Sequence, residues 1–348
     1  MDLASELGHE ELLLFRVGGL HAIVAIHDST FGPAVGGTRM RPYACLDDAV
    51  SDALRLSSAM TLKAALAGVE RGGGKAVIVG DPATQKSRSV LTAYARAVDG
   101  LGGRFHTGCD MGIDGRDVAV MSRLTRHVSH RAAGSTLDTA QLAGLGVFEA
   151  IRAAAQLLDL RMQGLRVAVQ GLGQVGYHVA RQLAQAGARL WVADLSGLLS
   201  DRAASELQAT VVEPDAIYDA DVDVFSPNAA GGILDDDHIG RLRCAAVVGG
   251  DNEQLAEARH AGMLLGRGIL YAPDYLVNAG GLLSLLHETG DLDEDAVLER
   301  VRGIGRRFRE IALQAREEER SPAEVAERLA RSRLAERRER DARRREGS

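Results

Sequence analysis

The central part of the chain contains three glycines at fixed spacing, directly after a short apolar run. In residues 167–176, VAVQGLGQVG, Gly171, Gly173 and Gly176 follow this run and precede a stretch with helical periodicity. The first glycine permits a tight turn, the second lets the backbone approach a pyrophosphate, and the third lets helix and strand pack closely. This pattern predicts a βαβ unit that binds a dinucleotide on the amino terminus of its helix.

The next predicted strand supports this interpretation and favours one dinucleotide. RLWVAD ends in Asp194, near the spacing at which an acid accepts hydrogen bonds from the adenosine ribose hydroxyls. No arginine follows Asp194 directly, Arg202 being the nearest later one, and a carboxylate would repel a 2′-phosphate. We therefore expect NAD rather than NADP as the cofactor, with Gln174 and Val175 completing the binding loop.

Apolar runs and helical repeats alternate along both halves of the chain, which predicts an α/β fold with two domains. Residues 13–27 are expected to form a hairpin and residues 46–67 a helix, whereas the later strands suit a parallel sheet buried on both faces. The predicted parts are an N-terminal α/β domain over 1–138, joined by C-terminal helices at about 321–335, a doubly wound Rossmann domain over 139–320, and a disordered charged tail over 336–348.

Charge and cysteine content argue against several classes of partner and cofactor. A net charge of −7 gives no reason to expect nucleic acid as a partner. Cys45, Cys109 and Cys244 have no CxxC spacing, and the histidines do not recur at metal-ligand spacing, so neither disulfides nor a metal site is predicted. The chain starts with acids before a short apolar run, unlike a secretory signal or a membrane span. We expect a cytoplasmic protein that does not contact membranes.

Lysine is rare in this chain, and its positions are informative. Among 41 basic residues only Lys63, Lys75 and Lys86 are lysine. Arginine keeps its proton in proteins, so a site that needs an amine base cannot accept arginine instead. Lys63 in MTLK could hold a substrate carboxylate, and Lys75 beside three glycines could be shielded from water and act as a base near pH 7. Asp110 in TGCDMG could relay protons, although each motif alone also fits an ordinary surface lysine or turn aspartate.

Taken together, these motifs resemble one enzyme family. GPAVGGTRM, MTLK, GGGK, TGCDMG, QGLGQVG and GILYAPDYLVNAGG are similar to the leucine, valine, phenylalanine and tryptophan dehydrogenases, relatives of glutamate dehydrogenase, over roughly residues 12–335. The resemblance implies that Lys75 is the catalytic lysine, that Asp110 is its proton-transfer partner and that Lys63 binds the substrate carboxylate. It further implies a substrate site lined by Gly37, Met60 and Val277, and residues near the nicotinamide and substrate at Asn252 and Asn278.

The resemblance implies a reaction and an assembly. We expect NAD-dependent oxidative deamination of a neutral, aliphatic or aromatic, L-amino acid to its 2-oxo acid with release of ammonia, together with the reverse reductive amination. The domain over 1–138 would bind substrate and mediate oligomerisation. Predicted strands near 12–27 would be sheet edges in a monomer, which also favours a homodimer or larger assembly.

Three segments depart from the family pattern and leave alternatives open. Ala143 stands near the position where relatives usually have threonine, residues 249–253 read GGDNE instead of GSANN, and residues 227–229 read PNA instead of PCA. These changes would weaken cofactor affinity, alter the choice of substrate, or mark a relative with reduced activity. The alternatives are a catalytically impaired relative that serves as a nucleotide-binding or oligomeric partner protein, and an enzyme for a different substrate in a specialised biosynthetic pathway. The preferred amino acid, the oligomer number and the physiological direction stay open.

Overall fold

The computed structural model describes residues 8–128, 137–229, 231–288 and 291–346. The chain divides into two compact units, the first formed by residues 1–134 and 330–348 and the second by residues 135–329. The composition shift near residues 131–141, which suggests the predicted domain boundary, lies partly on residues 131–136, outside the described ranges. Both units are α/β, as the sequence predicts.

The first unit contains a six-stranded mixed sheet that begins with the predicted hairpin. Its first two strands are antiparallel, and they are joined at Gly18 and Gly19, whose φ angles of 55° and 83° suit a tight hairpin turn. The sheet order is β1-β2-β5-β3-β6, with β4 also pairing with β5, and β3 and β4 run parallel to β5. The strands are β1 (Glu11–Val17), β2 (Leu20–Asp28), β3 (Ala34–Val35), β4 (Thr38–Arg41), β5 (Gly72–Val79) and β6 (Phe105–His106).

Helices cover both faces of this sheet, because alternate residues of each strand point to opposite sides. Helix α1 (Leu46–Ala67), which matches the predicted helix, packs against Ile23, Ala25 and Val77. Helix α2 (Arg88–Gly100) packs on the other face, over a core that includes Met40. The third helix of this unit, before its C-terminal part, is α3 (Gly115–Met121).

The second unit is a doubly wound domain. Its six strands are all parallel in the order β12-β11-β10-β7-β8-β9, so the direction of winding reverses between β7 and β10. Ligands of such sheets bind outside the carboxyl ends of the strands at this reversal. The sequence did not indicate β9, because both of its residues are exposed and lack an apolar pattern. The strands are β7 (Arg166–Gln170), β8 (Arg189–Ala193), β9 (Thr210–Val211), β10 (Val224–Pro227), β11 (Ala246–Val247) and β12 (Leu270–Tyr271).

Helices surround the second sheet, and a short 3₁₀ helix occupies Ala216–Asp219. None of the helices in the described part of the chain combines the length and the apolar character needed to cross a bilayer. The α-helices are α4 (Thr139–Leu157), α5 (Gln174–Gln185), α6 (Gly197–Leu207), α7 (Asp236–Arg241), α8 (Arg259–Gly266), α9 (Asp274–Val277), α10 (Gly280–Leu283), α11 (Leu285–Glu288), α12 (Glu294–Glu317) and α13 (Pro322–Glu346).

The C-terminal helix corrects one prediction. Residues 336–348 were expected to be disordered, but α13 continues to Glu346. Its arginines find partners in the first unit: Arg333 donates to the Ala65 carbonyl at 2.6 Å and Arg337 pairs with Glu70 at 3.0 Å. These partners are distant in sequence, so a tail without an apolar face gave no sign of them. A capping box begins α13, with reciprocal bonds between Ser321 and Glu324.

Candidate active site

The first unit brings Lys75 and Asp110 together as an ion pair, in which the side chain of Lys75 is 7% exposed and that of Asp110 is 18% exposed. Lys75 lies on β5 with 5% of its surface exposed, and its Nζ is 2.7 Å from Oδ2 of Asp110. Asp110 belongs to the loop between β6 and α3. Gly37 lies against this loop, because a Cβ at position 37 would overlap the Cys109 carbonyl oxygen and come within 2.9 Å of Asp110 Cβ. Three residues from separate sequence motifs therefore meet at one point.

The glycines of GPAVGG and GGGK allow this meeting by removing side chains between backbone segments. A Cβ on Gly36 would overlap the carbonyl oxygen of Gly74, and one on Gly73 would overlap Thr61 of α1. A Cβ on Gly74 would come within 2.8 Å of the Phe105 ring on β6. The glycines therefore let β5 lie in close contact with α1 and the neighbouring strands. This close packing excludes water from the backbone around Lys75.

Sequence reasoning did not select Arg39, which also contacts the site. Its Nε donates to Oδ2 of Asp110 at 3.2 Å, and its Nη1 donates to Asp52 on α1 at 3.1 Å. Arg39 is 8% exposed. A signal was present in GGTRMR, since an arginine between the buried Thr38 and Met40 of a strand must find a polar partner on the opposite face.

Opposing effects set the ionisation of Asp110. Burial alone would raise the pKa of its carboxyl group, but the charges of Lys75 and Arg39 outweigh burial and lower the pKa to about 2. A hydrogen bond from the Met111 backbone N–H acts in the same direction. Asp110 is therefore a carboxylate throughout the neutral pH range, and its proton-accepting capacity depends on its two cationic neighbours.

Two further substrate-site candidates lie on α1, one turn apart. Lys63 is buried and Met60 is half-buried, and their spacing of three residues places them on the same side of the helix. Helix α1 packs against β5 through Thr61 and Gly73. Val277, the remaining candidate, is fully buried on α9 of the second unit.

The glycine motif of the second unit has a geometry that fits a bound pyrophosphate. A Cβ on Gly171 would lie 2.7 Å from Ala229, and one on Gly176 would overlap the Gly171 carbonyl, so the protein's own packing requires these two glycines. A Cβ on Gly173, by contrast, would meet no described atom within 4 Å. Gln174 is exposed at the first position of α5, whose N-cap glycine has no side chain to cap the first turn. The middle glycine thus leaves an open approach to the helix amides.

Asp194 supports the same loop from the end of β8. Its Oδ2 accepts the Leu172 N–H at 2.7 Å and its Oδ1 accepts the Ser196 N–H at 2.8 Å. Each carboxylate oxygen has a second lone pair, so these bonds orient Asp194 and still leave capacity for ribose hydroxyls. Arg202 is engaged elsewhere: its guanidinium stacks 3.9 Å from the Tyr177 ring centroid and pairs with Glu206.

Residues predicted to lie near the nicotinamide also converge. Asn278 donates from Nδ2 to Asn252 Oδ1 at 2.9 Å and to the Gly250 carbonyl at 3.1 Å. The Gly250 N–H donates to Asn228 Oδ1 at 2.9 Å, and a Cβ on Gly250 would come within 2.7 Å of Val175 Cγ1. Loops after β7, β10 and β11 therefore meet at the carboxyl edge of the sheet, where the winding reverses.

Comparison with known proteins identifies this two-unit architecture. The family description "Glu/Leu/Phe/Val dehydrogenase, dimerisation domain" matches residues 15–127, and "Glutamate/Leucine/Phenylalanine/Valine dehydrogenase" matches residues 133–211. Together these matches cover more than half of the chain. The chain belongs to the Glu/Leu/Phe/Val dehydrogenase family.

Relatives and solved structures within this amino-acid dehydrogenase family align over nearly the whole chain. A phenylalanine dehydrogenase from Lysinibacillus sphaericus is 43% identical, covering 90% of this chain and 86% of its own. The crystal structure of L-tryptophan dehydrogenase from Nostoc punctiforme is 40% identical with a TM-score of 0.80, covering 96% and 98%. A hetero-hexameric glutamate dehydrogenase from Thermus thermophilus, in a Leu-bound form, is 27% identical with a TM-score of 0.80, covering 94% and 89%.

The loop over residues 249–253, one of the segments that depart from the family pattern, is held by hydrogen bonds from side chains. Glu253 adopts a left-handed conformation with φ of 59°, and its N–H donates to the Asp274 carboxylate. Gln254, which sequence reasoning did not select, is buried and donates from Nε2 to the carbonyls of Gly249 and Asp251 at 2.8 and 3.1 Å. Side-chain bonds from outside and within the loop therefore hold its backbone in place despite the two added acids.

Proposed function

We propose that this chain is an NAD-dependent dehydrogenase of a neutral L-amino acid. It deaminates the amino acid oxidatively to the 2-oxo acid with release of ammonia, and it catalyses the reverse reductive amination. The observation that carries the proposal is the ion pair of Lys75 and Asp110, because a shielded amine beside a carboxylate is suited to general acid and base catalysis. The intact glycine loop of the second unit supports the use of a dinucleotide.

Lys63 would hold the substrate carboxylate through its cationic side chain, with Met60 and Gly37 lining the site. Met60 and Gly37 carry no charge, so neither would compensate a second negative charge on the substrate side chain while Lys63 binds the substrate carboxylate. Relatives named phenylalanine and L-tryptophan dehydrogenase support a neutral side chain. We infer that the substrate is an aliphatic or aromatic amino acid.

The cofactor would bind through the second unit. Gly171, Gly173 and Gly176, with Gln174 and Val175, would bind the pyrophosphate, Asp194 the adenosine ribose, and Asn252 and Asn278 would lie near the nicotinamide. When bound, NAD⁺ supplies the acceptor for the hydride that leaves the substrate Cα. The Asp194 carboxylate favours NAD over NADP, since it would repel a 2′-phosphate. The engagement of Arg202 with Tyr177 and Glu206 acts in the same direction.

Lys75 and Asp110 would move the protons that the reaction requires. Neutral Lys75 accepts a proton from the water that adds to the oxidised carbon, which yields a carbinolamine. Asp110 passes this proton from the Lys75 ammonium to the carbinolamine nitrogen. The neutral Lys75 amine then accepts the hydroxyl proton, so that ammonia leaves while the C–N bond breaks and the carbonyl forms. Reductive amination follows the same steps in the reverse order.

NADH formation with a panel of neutral L-amino acids tests the proposal. We expect turnover with at least one of them, faster with NAD than with NADP. Replacing the base in Lys75→Ala, or the carboxylate in Asp110→Asn, should lower kcat by about 10²- to 10⁴-fold. A folded wild-type protein that produces no NADH with any neutral amino acid would contradict the proposal.

A second candidate function is a nucleotide-binding partner protein without turnover. It is favoured by Ala143, which stands near the usual threonine position, and by the acids Asp251 and Glu253 in the 249–253 loop. Calorimetric binding of NAD in the absence of turnover would support it. Turnover abolished in Lys75→Ala would exclude it.

We further propose that the protein forms a homo-oligomer, a dimer or larger. Strand β1 is at the edge of its sheet and exposes Leu14 and Val17. Exposed edge strands commonly pair with another copy of the chain. Light scattering coupled to size exclusion measures the assembly, and a monomer at micromolar concentration would contradict this proposal.

A further inference from the structure

Two cations share one oxygen of Asp110. Lys75 Nζ lies 2.7 Å from Oδ2, and Arg39 Nε donates to the same Oδ2 at 3.2 Å. Lys75 and Arg39 are both buried, with side chains 7% and 10% exposed. The ion pair proposed to carry the proton chemistry is therefore part of a triad with a permanent positive charge at its far end.

The backbone explains why Arg39 reaches this carboxylate. In the parallel ladder of β4 and β5, Arg39 is opposite Val77, and Val77 and Lys75 are two residues apart on the same side of β5. Arg39 therefore points to the face of the sheet that α1 covers. Its neighbours Thr38 and Met40 point to the opposite face, where Thr38 contacts Tyr94.

The other end of Arg39 is held in place. Its Nη1 donates to both oxygens of Asp52 at 3.2 and 3.1 Å. Asp52 also accepts hydrogen bonds from the Tyr43 hydroxyl at 2.6 Å and from Arg55 Nη2 at 2.8 Å. Two carboxylates, Asp110 and Asp52, thus hold the Arg39 guanidinium, and Tyr43 and Arg55 orient Asp52 in turn.

The charge of Arg39 changes the balance between Lys75 and Asp110. A carboxylate that pairs with lysine alone holds the ammonium proton tightly, whereas a carboxylate already neutralised by a guanidinium holds it less tightly. The charged or titratable residues that are buried or bonded on this face include Asp110 in its loop, Arg39 on β4, His27 on β2, and Asp52, Arg55 and Lys63 on α1, with Tyr43 bonded to Asp52. Besides Lys75, Arg39 donates to Oδ2 of Asp110, and the Met111 N–H also bonds to this carboxylate.

We propose that Arg39 is a positioning residue for the Lys75–Asp110 pair. It fixes the carboxylate in line with the amine and shares its charge, so that Asp110 attracts the Lys75 amine less strongly than an unshared carboxylate would. This inference rests on the proposed function, since it assigns a role to Arg39 within the same proton chemistry.

The test is the pH profile of kcat/KM for amino-acid oxidation. Arg39→Gln should shift the acidic limb of this profile to higher pH by about one unit. Without the Arg39 cation, Asp110 attracts the Lys75 ammonium more strongly. Its kcat should fall by up to about 100-fold from loss of alignment, while the KM for NAD stays unchanged. Arg39→Lys retains the charge and should restore the acidic limb, with only partial recovery of kcat.

Matched variants keep this test decisive. Arg41→Gln removes an exposed arginine from the same strand and should leave the profile unchanged. Arg39→Gln leaves Asp52 with one fewer cation, so the double variant R39Q/D52N, which removes both charges, is measured by the same profile if the single variant does not fold.

The outcomes separate this inference from the proposed function. Wild type without activity on any neutral amino acid defeats the proposed function. If wild type is active and Lys75→Ala is inactive, the proposed function stands. An acidic limb of Arg39→Gln or R39Q/D52N that coincides with that of wild type would then overturn only the role of Arg39.

Discussion

Gly37 approaches Asp110 so closely that a Cβ at position 37 would lie 2.9 Å from the Asp110 Cβ. The same atom would overlap the carbonyl oxygen of Cys109, which is backbone and cannot swing away. The loop that carries Asp110 is therefore seated against the main chain at Gly37. Any side chain at position 37 must displace the carboxylate from Lys75.

We expect Gly37→Ala to lower kcat by roughly 100-fold, since a displacement of about 1 Å at a catalytic group has that effect. NAD affinity should be unchanged, because Gly37 lies in the first unit. Gly115→Ala is the matched control: a Cβ there would meet no described atom within 4 Å. Steady-state kinetics of both variants check the prediction, and equal activities would refute it.

The three glycines of the nucleotide motif should separate into two classes. Gly173→Ala adds a methyl group into open space, so folding is retained while NAD binding weakens, by at least about tenfold. Gly176→Ala forces a Cβ into the Gly171 carbonyl and should destabilise the protein by about 1–3 kcal/mol. Thermal melting and calorimetric titration with NAD measure the two effects. If Gly173→Ala loses stability but still binds NAD as wild type does, the proposal that the ligand occupies the open space at Gly173 would be contradicted.

Acid should weaken the fold through Asp110. Its pKa is about 2 in the folded protein against an ordinary 3.8, so the stabilisation from ionised Asp110 is present above about pH 4 and is lost as the pH falls toward 2. This linkage corresponds to about 2 kcal/mol. We expect the difference in unfolding free energy between wild type and Asp110→Asn to shrink over that interval, as measured by urea denaturation at a series of pH values. A difference that is constant with pH would show that folding does not change the pKa of Asp110.

Cofactor choice should depend on Asp194 and on the engagement of Arg202. Asp194→Asn removes the negative charge while an amide oxygen remains to accept the Leu172 or Ser196 N–H. Glu206→Gln weakens the hold on Arg202, which then becomes available to a phosphate. The double variant should raise the NADP to NAD ratio of kcat/KM by about tenfold or more. An unchanged ratio would show that neither residue governs discrimination.

Sequence patterns predicted a large part of this architecture correctly. The apolar periodicity of residues 46–67 matches α1 from Leu46 to Ala67, and the glycines at 18 and 19 mark the hairpin turn. The scarcity of lysine indicated Lys63 and Lys75 as candidate site residues, and both are buried. These features depend on neighbours within a few turns or on the chemistry of one residue type, and such information is local to the sequence.

Other features arise only when distant segments meet. Arg39 bonds to Asp52 and Asp110, 13 and 71 residues away, and α13 is held by arginines that pair with residues more than 260 positions earlier. No periodicity encodes such pairs, because a charged side chain in a strand or helix is compatible with many partners. The amino-acid order specified the helices, strands, glycine turns and the residues able to do chemistry. Tertiary packing decided which charges share an oxygen, since burial makes an unpaired charge too costly and so selects the partners.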